Sequence, residues 1–374
     1  MGKSKLVWIT FNAFIDTDLY IVKELIPYYD IHWIIIKSGN DRFEYISELN
    51  ALENSTAITI DMLQCGARLR SKECIGFYSK LLSSIENEKP DVIYTSLSGA
   101  PYFIPMLACS KLKHKVVLAI HNVHVPKGGS AYWFFRAYNK IALKSFNYYQ
   151  AFSLDQYQLL NAKVHKARTM YAPFILKDYG TPKHVRRDNR ITFLNFGNIR
   201  DYKRIDVLIE AAQIAFERTG ILFRVIIAGQ CNNWDKYESM IRYPELFELY
   251  IRRMDNEEVP ELFVESDYFV APYKDIAQSG SSVVAITYNV PIIASRLPAF
   301  EEYIDDDITG KLIAPASLSE LANTMEEIIV SGNSGYEEMV EAMTKKRDTI
   351  FSTEAIVKKY REYIDEIARF TKQN

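Results

Sequence analysis

Two short segments place small and basic residues directly after predicted strands. In the first, an apolar run ends at Gly197 and Asn198, and the cations of Arg200 and Lys203 follow before the next predicted helix. Glycine lets the backbone turn tightly and lets a ligand approach, and two cations supply counter-charge for a diphosphate. The segment therefore predicts an anion site, although taken alone it is also compatible with a solvated loop whose cations contact only water.

The second segment separates a predicted strand from a predicted helix. Its loop consists of Gln278, Ser279, Gly280, Ser281 and Ser282. The unpaired backbone N–H groups at a helix N-terminus suit a phosphate group. Serine is also a favoured N-cap residue, and capping is compatible with phosphate binding.

A histidine-containing loop follows a predicted strand in the first half of the chain. It includes His121, Asn122 and His124. Active-site groups of open α/β sheets collect at such strand ends, and a neutral imidazole can hydrogen-bond a sugar or position an acceptor. The spacing of His121 and His124 also permits zinc, but no third ligand of suitable spacing is nearby, so we predict no metal site. The alternative is a capped strand with two polar loop histidines.

The first loop of the chain contains two carboxylates and no glycine. Asp16 is a candidate for binding an acceptor hydroxyl or for acting as a base. Asp18 is equally well interpreted as the N-cap of the helix that follows.

Apolar runs of strand length alternate with helix-period segments throughout the chain, which predicts an α/β fold. We expect two doubly wound, Rossmann-like domains that face a central cleft. In the first half the predicted strands are residues 5–11, 31–36, 91–95, 115–121 and 148–152, and the predicted helices include residues 19–29 and 98–112. In the second half the predicted strands are residues 191–196, 222–228, 268–271, 291–294 and 311–313, and the predicted helices are residues 203–217, 260–266, 280–288 and 352–370.

The domain boundaries follow from a lapse in this alternation. Residues 1–175 form the predicted N-terminal domain, and the polar stretch 176–189 is the predicted linker. Residues 190–350 form the predicted second domain. The closing helix within 351–374 is expected to cross back to the N-terminal domain.

Composition excludes several classes of protein. The 374 residues include 45 Lys and Arg against 47 Asp and Glu, so the chain lacks the basic surplus of a nucleic-acid binder. Its four cysteines have neither disulfide-framework nor zinc spacing, which favours a reducing cytoplasm. We find neither a signal peptide nor a run of about 18 apolar residues.

The two loop segments and the run Glu302–Pro315 together resemble the family-4 (group 1) glycosyltransferases, over about residues 190–330. The resemblance implies the GT-B fold, a nucleotide-diphosphate sugar as donor and no further cofactor. Lys203 falls on the family's diphosphate-binding lysine, and Arg204 replaces the usual glycine. Because Asn198 stands where many members have arginine, Arg200 is our candidate for that charge. Glu302 is assigned to the donor site by the same resemblance.

One departure from the family concerns its paired glutamates. Their positions hold Ile276 and Val284, so the chain resembles a variant branch in which the loop 278–282 lines the donor pocket through backbone amides. Two alternatives remain at this point. One is a non-catalytic partner protein that keeps the fold, and the other is a nucleotide-sugar epimerase.

The function implied by the resemblance is transfer of a sugar to a carbohydrate or lipid-linked acceptor in bacterial surface polysaccharide biosynthesis. We expect a retaining, metal-independent reaction and interpret Asp305–Asp307 as a polar turn rather than a metal motif.

The segment 128–146 interleaves aromatic residues with cations. It is either part of the core or a helix that holds a cytoplasmic protein at the inner membrane surface.

Overall fold

Two separate sheets of parallel strands organise the chain. The computed structural model describes residues 2–38, 45–66, 71–96, 102–123, 132–184, 186 and 189–373. Contacts between Cα atoms divide the chain into unit 1, which comprises Met1–Ile175 and Thr353–Asn374, and unit 2, which comprises Leu176–Ser352. The predicted linker, residues 176–189, is therefore grouped with unit 2, and the closing helix is grouped with unit 1.

Unit 1 contains, among its described residues, a seven-stranded parallel sheet in the order β3-β2-β1-β4-β5-β6-β7. The strands are β1 (Ser4–Phe11), β2 (Tyr29–Ser38), β3 (Thr59–Cys65), β4 (Val92–Ser96), β5 (Val116–Ile120), β6 (Tyr148–Ala151) and β7 (Arg168–Tyr171). The helices between them are α1 (Ile15–Leu25), α2 (Ile46–Ser55), α3 (Lys72–Glu88), α4 (Phe103–Cys109), α5 (Tyr132–Ala142) and α6 (Leu154–Asn161). The strand order reverses between β1 and β4.

Unit 2 repeats this arrangement with a six-stranded parallel sheet in the order β10-β9-β8-β11-β12-β13. Its strands are β8 (Thr192–Phe196), β9 (Arg224–Ala228), β10 (Phe247–Tyr250), β11 (Tyr268–Ala271), β12 (Ile292–Ser295) and β13 (Gly310–Ile313). Its helices are α7 (Ile205–Thr219), α8 (Asp235–Glu238), α9 (Val259–Val264), α10 (Gly280–Thr287), α11 (Pro298–Glu301), α12 (Leu318–Val330) and α13 (Tyr336–Thr349). Here the order reverses between β8 and β11, so the predicted α/β class with two doubly wound sheets is confirmed.

The last helix, α14 (Thr353–Gln373), packs into the core of unit 1. Its apolar residues recur at helical spacing, and Ile356, Ile364 and Ile367 are fully buried. Its tyrosines also make buried hydrogen bonds. The Gln150 side chain donates to the Tyr360 hydroxyl at 2.6 Å, and the Tyr363 hydroxyl donates to the Arg168 carbonyl at 2.8 Å.

The structure differs from the sequence-based elements at several boundaries. The helix predicted at residues 19–29 begins earlier and ends at Leu25, because the chain enters β2 at Tyr29. The helix predicted at residues 98–112 is shorter in the described part, where α4 covers Phe103–Cys109. Strands β3, β7 and β10 were not predicted. In the part of the chain that the structure describes, no helix is long and apolar enough to cross a bilayer.

Candidate functional site

The carboxyl end of β8 leads into a turn that only glycine fits well. Gly197 has φ +102°, and a Cβ there would lie 2.7 Å from the Ser281 Oγ and 3.1 Å from the Lys203 Nζ. A side chain would therefore be strained and would also collide with its neighbours. The bare backbone brings the end of β8 against the first turn of α10, so the structure joins the two loop segments that the sequence singled out.

Lys203 is the most unusual side chain of this region. It is 5% exposed, and its Nζ lies 3.5 Å from the Phe196 carbonyl and 5.5 Å from the Tyr273 ring centroid. No carboxylate of the described residues forms an ion pair with it. Burial, and next the charge of Arg200, lower the pKa of Lys203 to about 8. A buried ammonium group without an anion is costly, which indicates a place prepared for a negatively charged ligand.

Arg200 and Asn198 lie on the same loop and are exposed. Arg200 precedes the 3-10 turn Asp201–Lys203, and its charge is close enough to act on Lys203. Arg204 stands at the position of the usual family glycine and has φ 53°, in the left-handed region that glycine adopts without strain. Its guanidinium forms an ion pair with the carboxylate of Asp206 in α7, with Nη2 to Oδ2 at 2.9 Å.

The first turn of α10 confirms the capping interpretation of its serines. Ser279 is the N-cap, and its Oγ accepts hydrogen bonds from the Ser282 backbone N–H at 3.2 Å and from the Ser282 hydroxyl at 2.8 Å. Ser279 and Ser282 are buried, whereas Gln278, Gly280 and Ser281 are half-buried. The positive end of α10 thus lies beside Gly197 and Lys203.

Sequence reasoning missed Lys177. This residue falls in the predicted linker, yet it is 4% exposed, and its Nζ lies 3.8 Å from the place of a Cβ on Gly280. Its backbone N–H donates to the Thr287 hydroxyl at 3.2 Å, so the segment runs along α10. A lysine in a polar stretch gives no sequence signal of burial. The second ammonium group near the start of α10 is a finding of the structure.

The remaining donor-site candidate, Glu302, follows α11 and is half-buried. It lies beyond the carboxyl end of β12, two strands from β8 at the same edge of the sheet. The positions of the family glutamates hold Ile276, which is half-buried, and Val284, which is buried in α10.

The three consecutive aspartates before β13 each contact a cation. Asp305 pairs with Lys346 at 2.9 Å, Asp306 with Arg296, and Asp307 with Lys311 at 3.0 Å. The carboxylates point to three different partners. This arrangement agrees with a polar turn, and among the described residues no group of His, Cys, Asp or Glu is arranged to hold a metal ion.

In unit 1, His121 follows β5 and lies between two phenyl rings. Its ring centroid is 4.4 Å from that of Phe14 and 4.5 Å from that of Phe152, with interplanar angles of 16° and 15°. Phe14 comes from the loop after β1 and Phe152 from the end of β6, so three strand ends build the stack. A third ring, Phe174, is 6.1 Å away. The imidazole plane is therefore set by aromatic packing.

The acceptor candidates of unit 1 have different positions. Asp16 is in the first turn of α1 and is half-buried, with the Thr17 hydroxyl donating to it at 3.4 Å. Asn122 is exposed, and its carbonyl accepts a hydrogen bond from the Asn139 side chain at 3.1 Å. His124 lies outside the described residues.

The N-cap interpretation of Asp18 is wrong. Helix α1 begins at Ile15, and Asp18 is buried inside its first turn. Its Oδ2 accepts hydrogen bonds from the Trp8 indole at 3.0 Å and from the Thr10 hydroxyl at 2.5 Å. This carboxylate is a structural group of the core.

Comparison with known proteins agrees with this geometry. Residues 180–347 match the family described as "Glycosyl transferases group 1". An "Uncharacterized 41.2 kDa protein in cps region" of Klebsiella pneumoniae is 22% identical over 263 residues, covering 66% of this chain and 71% of that protein.

Solved structures match the whole chain. A glycosyltransferase from Rickettsia africae ESF-5 has a TM-score of 0.77 at 17% identity, covering 98% of this chain and 99% of that one. Anabaena HepE in complex with UDP and glucose has a TM-score of 0.73 at 13% identity, covering 97% of this chain and 100% of that one. Residues 180–347 therefore resemble the group 1 glycosyltransferases, and the two units have the GT-B fold of these solved structures.

Proposed function

We propose that this glycosyltransferase takes a sugar from a nucleotide-diphosphate donor held by unit 2. The sugar passes to a carbohydrate or lipid-linked acceptor during the assembly of a bacterial surface polysaccharide. The relative from a Klebsiella cps region and the UDP complex of HepE support the pathway and the donor class. Within the chain itself, the supporting observation is the Lys203 ammonium, which is buried and has no ion pair among the described residues.

The donor diphosphate fits beside Lys203. Gly197 leaves the backbone bare next to this ammonium, and the Ser281 hydroxyl of α10 lies on the same side of the glycine. An oxyanion there receives the Lys203 charge and the positive end of α10 together. Arg200, which is exposed on the same loop, adds charge at the solvent side.

Lys177 adds a further cation to this pocket. Its Nζ lies beside Gly280, at the N-terminus of α10, where the helix dipole already favours negative charge. Lys203 and Lys177 thus place two positive charges near one helix N-terminus, and both charges and the dipole attract an anionic ligand there. We assign Lys177 to the donor site together with Asn198, Gln278 and the backbone of residues 279–282.

The chemical step follows from these charges. As the bond between the anomeric carbon and the diphosphate oxygen breaks, negative charge grows on the leaving group, and Lys203 and Arg200 stabilise it. The acceptor hydroxyl oxygen forms the new bond to the anomeric carbon, and its proton passes to the departing diphosphate. Because lysine and arginine supply the counter-charge, we propose that the reaction needs no divalent cation. EDTA is then expected to leave the turnover rate unchanged.

His121 of unit 1 is assigned to sugar contact. Its imidazole is held between Phe14 and Phe152, and this stacking sets the plane in which both ring nitrogens lie. Asp16 and Asn122 are assigned to the acceptor, and Glu302 is retained as a donor contact.

The resemblance implies a retaining course, and the anomeric configuration of the product, read by NMR, tests it.

The first experiment is a thermal-shift screen with UDP, GDP, dTDP and CMP and with their sugar conjugates. A ligand that binds only the native state raises its apparent stability. We expect a shift with one nucleoside diphosphate, and a much smaller one in Lys203→Ala. The matched control is Lys345→Ala, which removes an exposed lysine of α13 and should keep the full shift.

The outcomes separate the alternatives. Binding without turnover of any donor–acceptor pair favours a non-catalytic partner protein. A changed sugar formed from donor alone favours an epimerase. If Lys203→Ala keeps the full shift, the assigned donor pocket is wrong.

A further inference from the structure

Positive charge is concentrated in one stretch of unit 1. Residues 92–154 contain seven Lys and Arg residues and not a single Asp or Glu, although the whole chain has 45 basic and 47 acidic residues. Charged side chains of both signs are normally interspersed on a protein surface. A long segment without acidic residues therefore indicates a surface that meets something negatively charged.

Helix α5 presents part of this charge on one exposed face. Arg136, Lys140 and Lys144 follow each other at four-residue spacing, from within the helix to just beyond its end, and all three are exposed. Residues four apart lie on the same side of a helix. The opposite side packs into the core through Tyr138 and Ala142. In the described part of this segment, one side of the helix therefore belongs to the core, and the other side is exposed.

Lys163, in the turn after α6, extends this face. Its Nζ lies 3.4 Å from the Val123 carbonyl, and burial, together with the charge of Arg136, lowers the pKa of Lys163. The two cations are therefore neighbours in spite of their repulsion. No carboxylate of the described residues forms an ion pair with Lys140, Lys144 or Lys163. We call Arg136, Lys140, Lys144 and Lys163 the basic face.

An exposed apolar side chain interrupts the basic face. Ile141, next to Lys140, is 58% exposed. Cations around an exposed aliphatic side chain suit a bilayer surface, where the cations meet lipid phosphates and the aliphatic group enters the interface. A nucleic acid would use the cations but would gain nothing from the isoleucine. The charge and the apolar group together favour lipid over nucleic acid.

We propose that the basic face, with Ile141, docks unit 1 on a membrane surface rich in anionic phospholipids. This inference rests on the proposed function, because docking on a membrane would bring the enzyme to a lipid-linked acceptor. The physical binding itself requires no donor. Each cation near an anionic bilayer is expected to strengthen binding about fivefold, so that three contribute about 100-fold.

The test uses the full chain and sedimentation with vesicles. One set of vesicles is phosphatidylcholine, and the other is phosphatidylcholine with phosphatidylglycerol. We expect binding to the anionic set alone, and a loss of about 100-fold in Arg136→Gln/Lys140→Gln/Lys144→Gln. The control Lys23→Gln/Lys345→Gln/Lys358→Gln removes three exposed cations from α1, α13 and α14 and should bind as the wild type does.

Ile141→Ser separates insertion from charge. This variant keeps every cation, so it should bind anionic vesicles at low salt. At high salt the charges are screened and mainly the apolar contribution remains, so the variant should lose more of its binding than the wild type does. Circular dichroism and thermal unfolding of each variant check that it is folded.

Three results would overturn the proposal: equal binding to both vesicle sets, an equal loss in the control triple variant, or retention on DNA without binding to vesicles. The UDP shift is measured on the same samples. If wild-type protein binds anionic vesicles but no nucleotide, the proposed function fails while the docking surface stands.

Discussion

The strand ends of the two units have the same topology and opposite chemistry. In unit 2, the carboxyl end of β8 leads to bare backbone at Gly197, the buried ammonium of Lys203 and the positive end of α10. In unit 1, the carboxyl end of β5 leads to an imidazole held between the rings of Phe14 and Phe152. A doubly wound sheet therefore decides where a site lies, and the loops decide what it binds.

The two regions also differ in their energetic state. The stack around His121 consists of favourable ring contacts. The Lys203 region combines a left-handed backbone at Gly197 and Arg204 with a buried charge. The left-handed backbone of Arg204 and the buried charge of Lys203 lower the stability of the free protein, and an anionic ligand offsets the cost of the charge. Unit 2 is thus expected to respond strongly to an anion, and unit 1 to respond little.

The largest effect is expected for Lys203→Met. Lysine in the unfolded chain has a pKa near 10.4, and the native value is about 8, so burial of this charge costs about 3 kcal/mol at neutral pH. Methionine keeps the length of the side chain and removes the charge. The free energy of unfolding should rise by about that amount, while the thermal shift with a nucleoside diphosphate disappears.

Lys345→Met is the matched control, because this lysine is exposed on α13. Its effect on stability should stay within about 0.5 kcal/mol, and its nucleotide response should be normal. Denaturant unfolding measures the stability. A loss of stability in Lys203→Met would show that the ammonium has an anionic partner in the free protein.

Gly197→Ala should have the next largest effect. The new Cβ would meet the Ser281 Oγ at 2.7 Å in a backbone conformation with φ +102°. Gly220→Ala, at φ +64° with open space around it, experiences the backbone strain alone. We expect Gly197→Ala to lose about 1 kcal/mol more than Gly220→Ala, because the Ser281 hydroxyl and the Lys203 ammonium must move, and to lose nucleotide binding as well. Equal losses would mean that the close approach of β8 and α10 is not tight.

A smaller effect is expected from pH. Because the native pKa of Lys203 is depressed, the unfolded state binds more protons between about pH 8 and pH 10.4, and stability rises with pH in that window. The Lys203 penalty should shrink by about 1 kcal/mol from about pH 7 to pH 9. Nucleotide affinity should fall over the same range, since the ammonium loses its proton. Comparison with Lys203→Met, in which both trends should vanish, isolates this residue.

The sequence was sufficient for the central strands of both sheets but predicted only one of the four edge strands, β13. The three strands that were not predicted, β3, β7 and β10, all lie at sheet edges. A central strand such as β5 is buried on both faces and stands out as an apolar run, whereas β3 has exposed residues over much of its length. Edge strands lack the continuous apolar signal on which the prediction rested.

The candidate site likewise contains residues that the sequence indicated and one residue that only the structure shows. Gly197 and Lys203 are close in the chain and follow a strand, so their spacing alone indicated an anion site. Lys177 is about a hundred residues from α10 in the chain, and only tertiary packing brings its ammonium to Gly280. Asp18 resembled a helix cap, because a single sequence does not show that two tryptophan-bearing strands bury its carboxylate.

The smallest effect is expected in unit 1, where Phe152→Leu and Phe14→Leu each remove one ring from the His121 stack. A ring pair contributes about 1 kcal/mol to stability, so each variant should lower the free energy of unfolding by about that amount. Because the imidazole is then held less firmly in its plane, kcat should fall severalfold, while the nucleotide affinity of unit 2 stays unchanged. Phe146→Leu, at a buried position outside the stack, controls for general loosening of the core. Combination with His121→Ala then decides the role of the rings. If they act by holding the imidazole, Phe14→Leu has no further effect on kcat in the His121→Ala background, whereas additive losses would show that the rings act independently of the histidine.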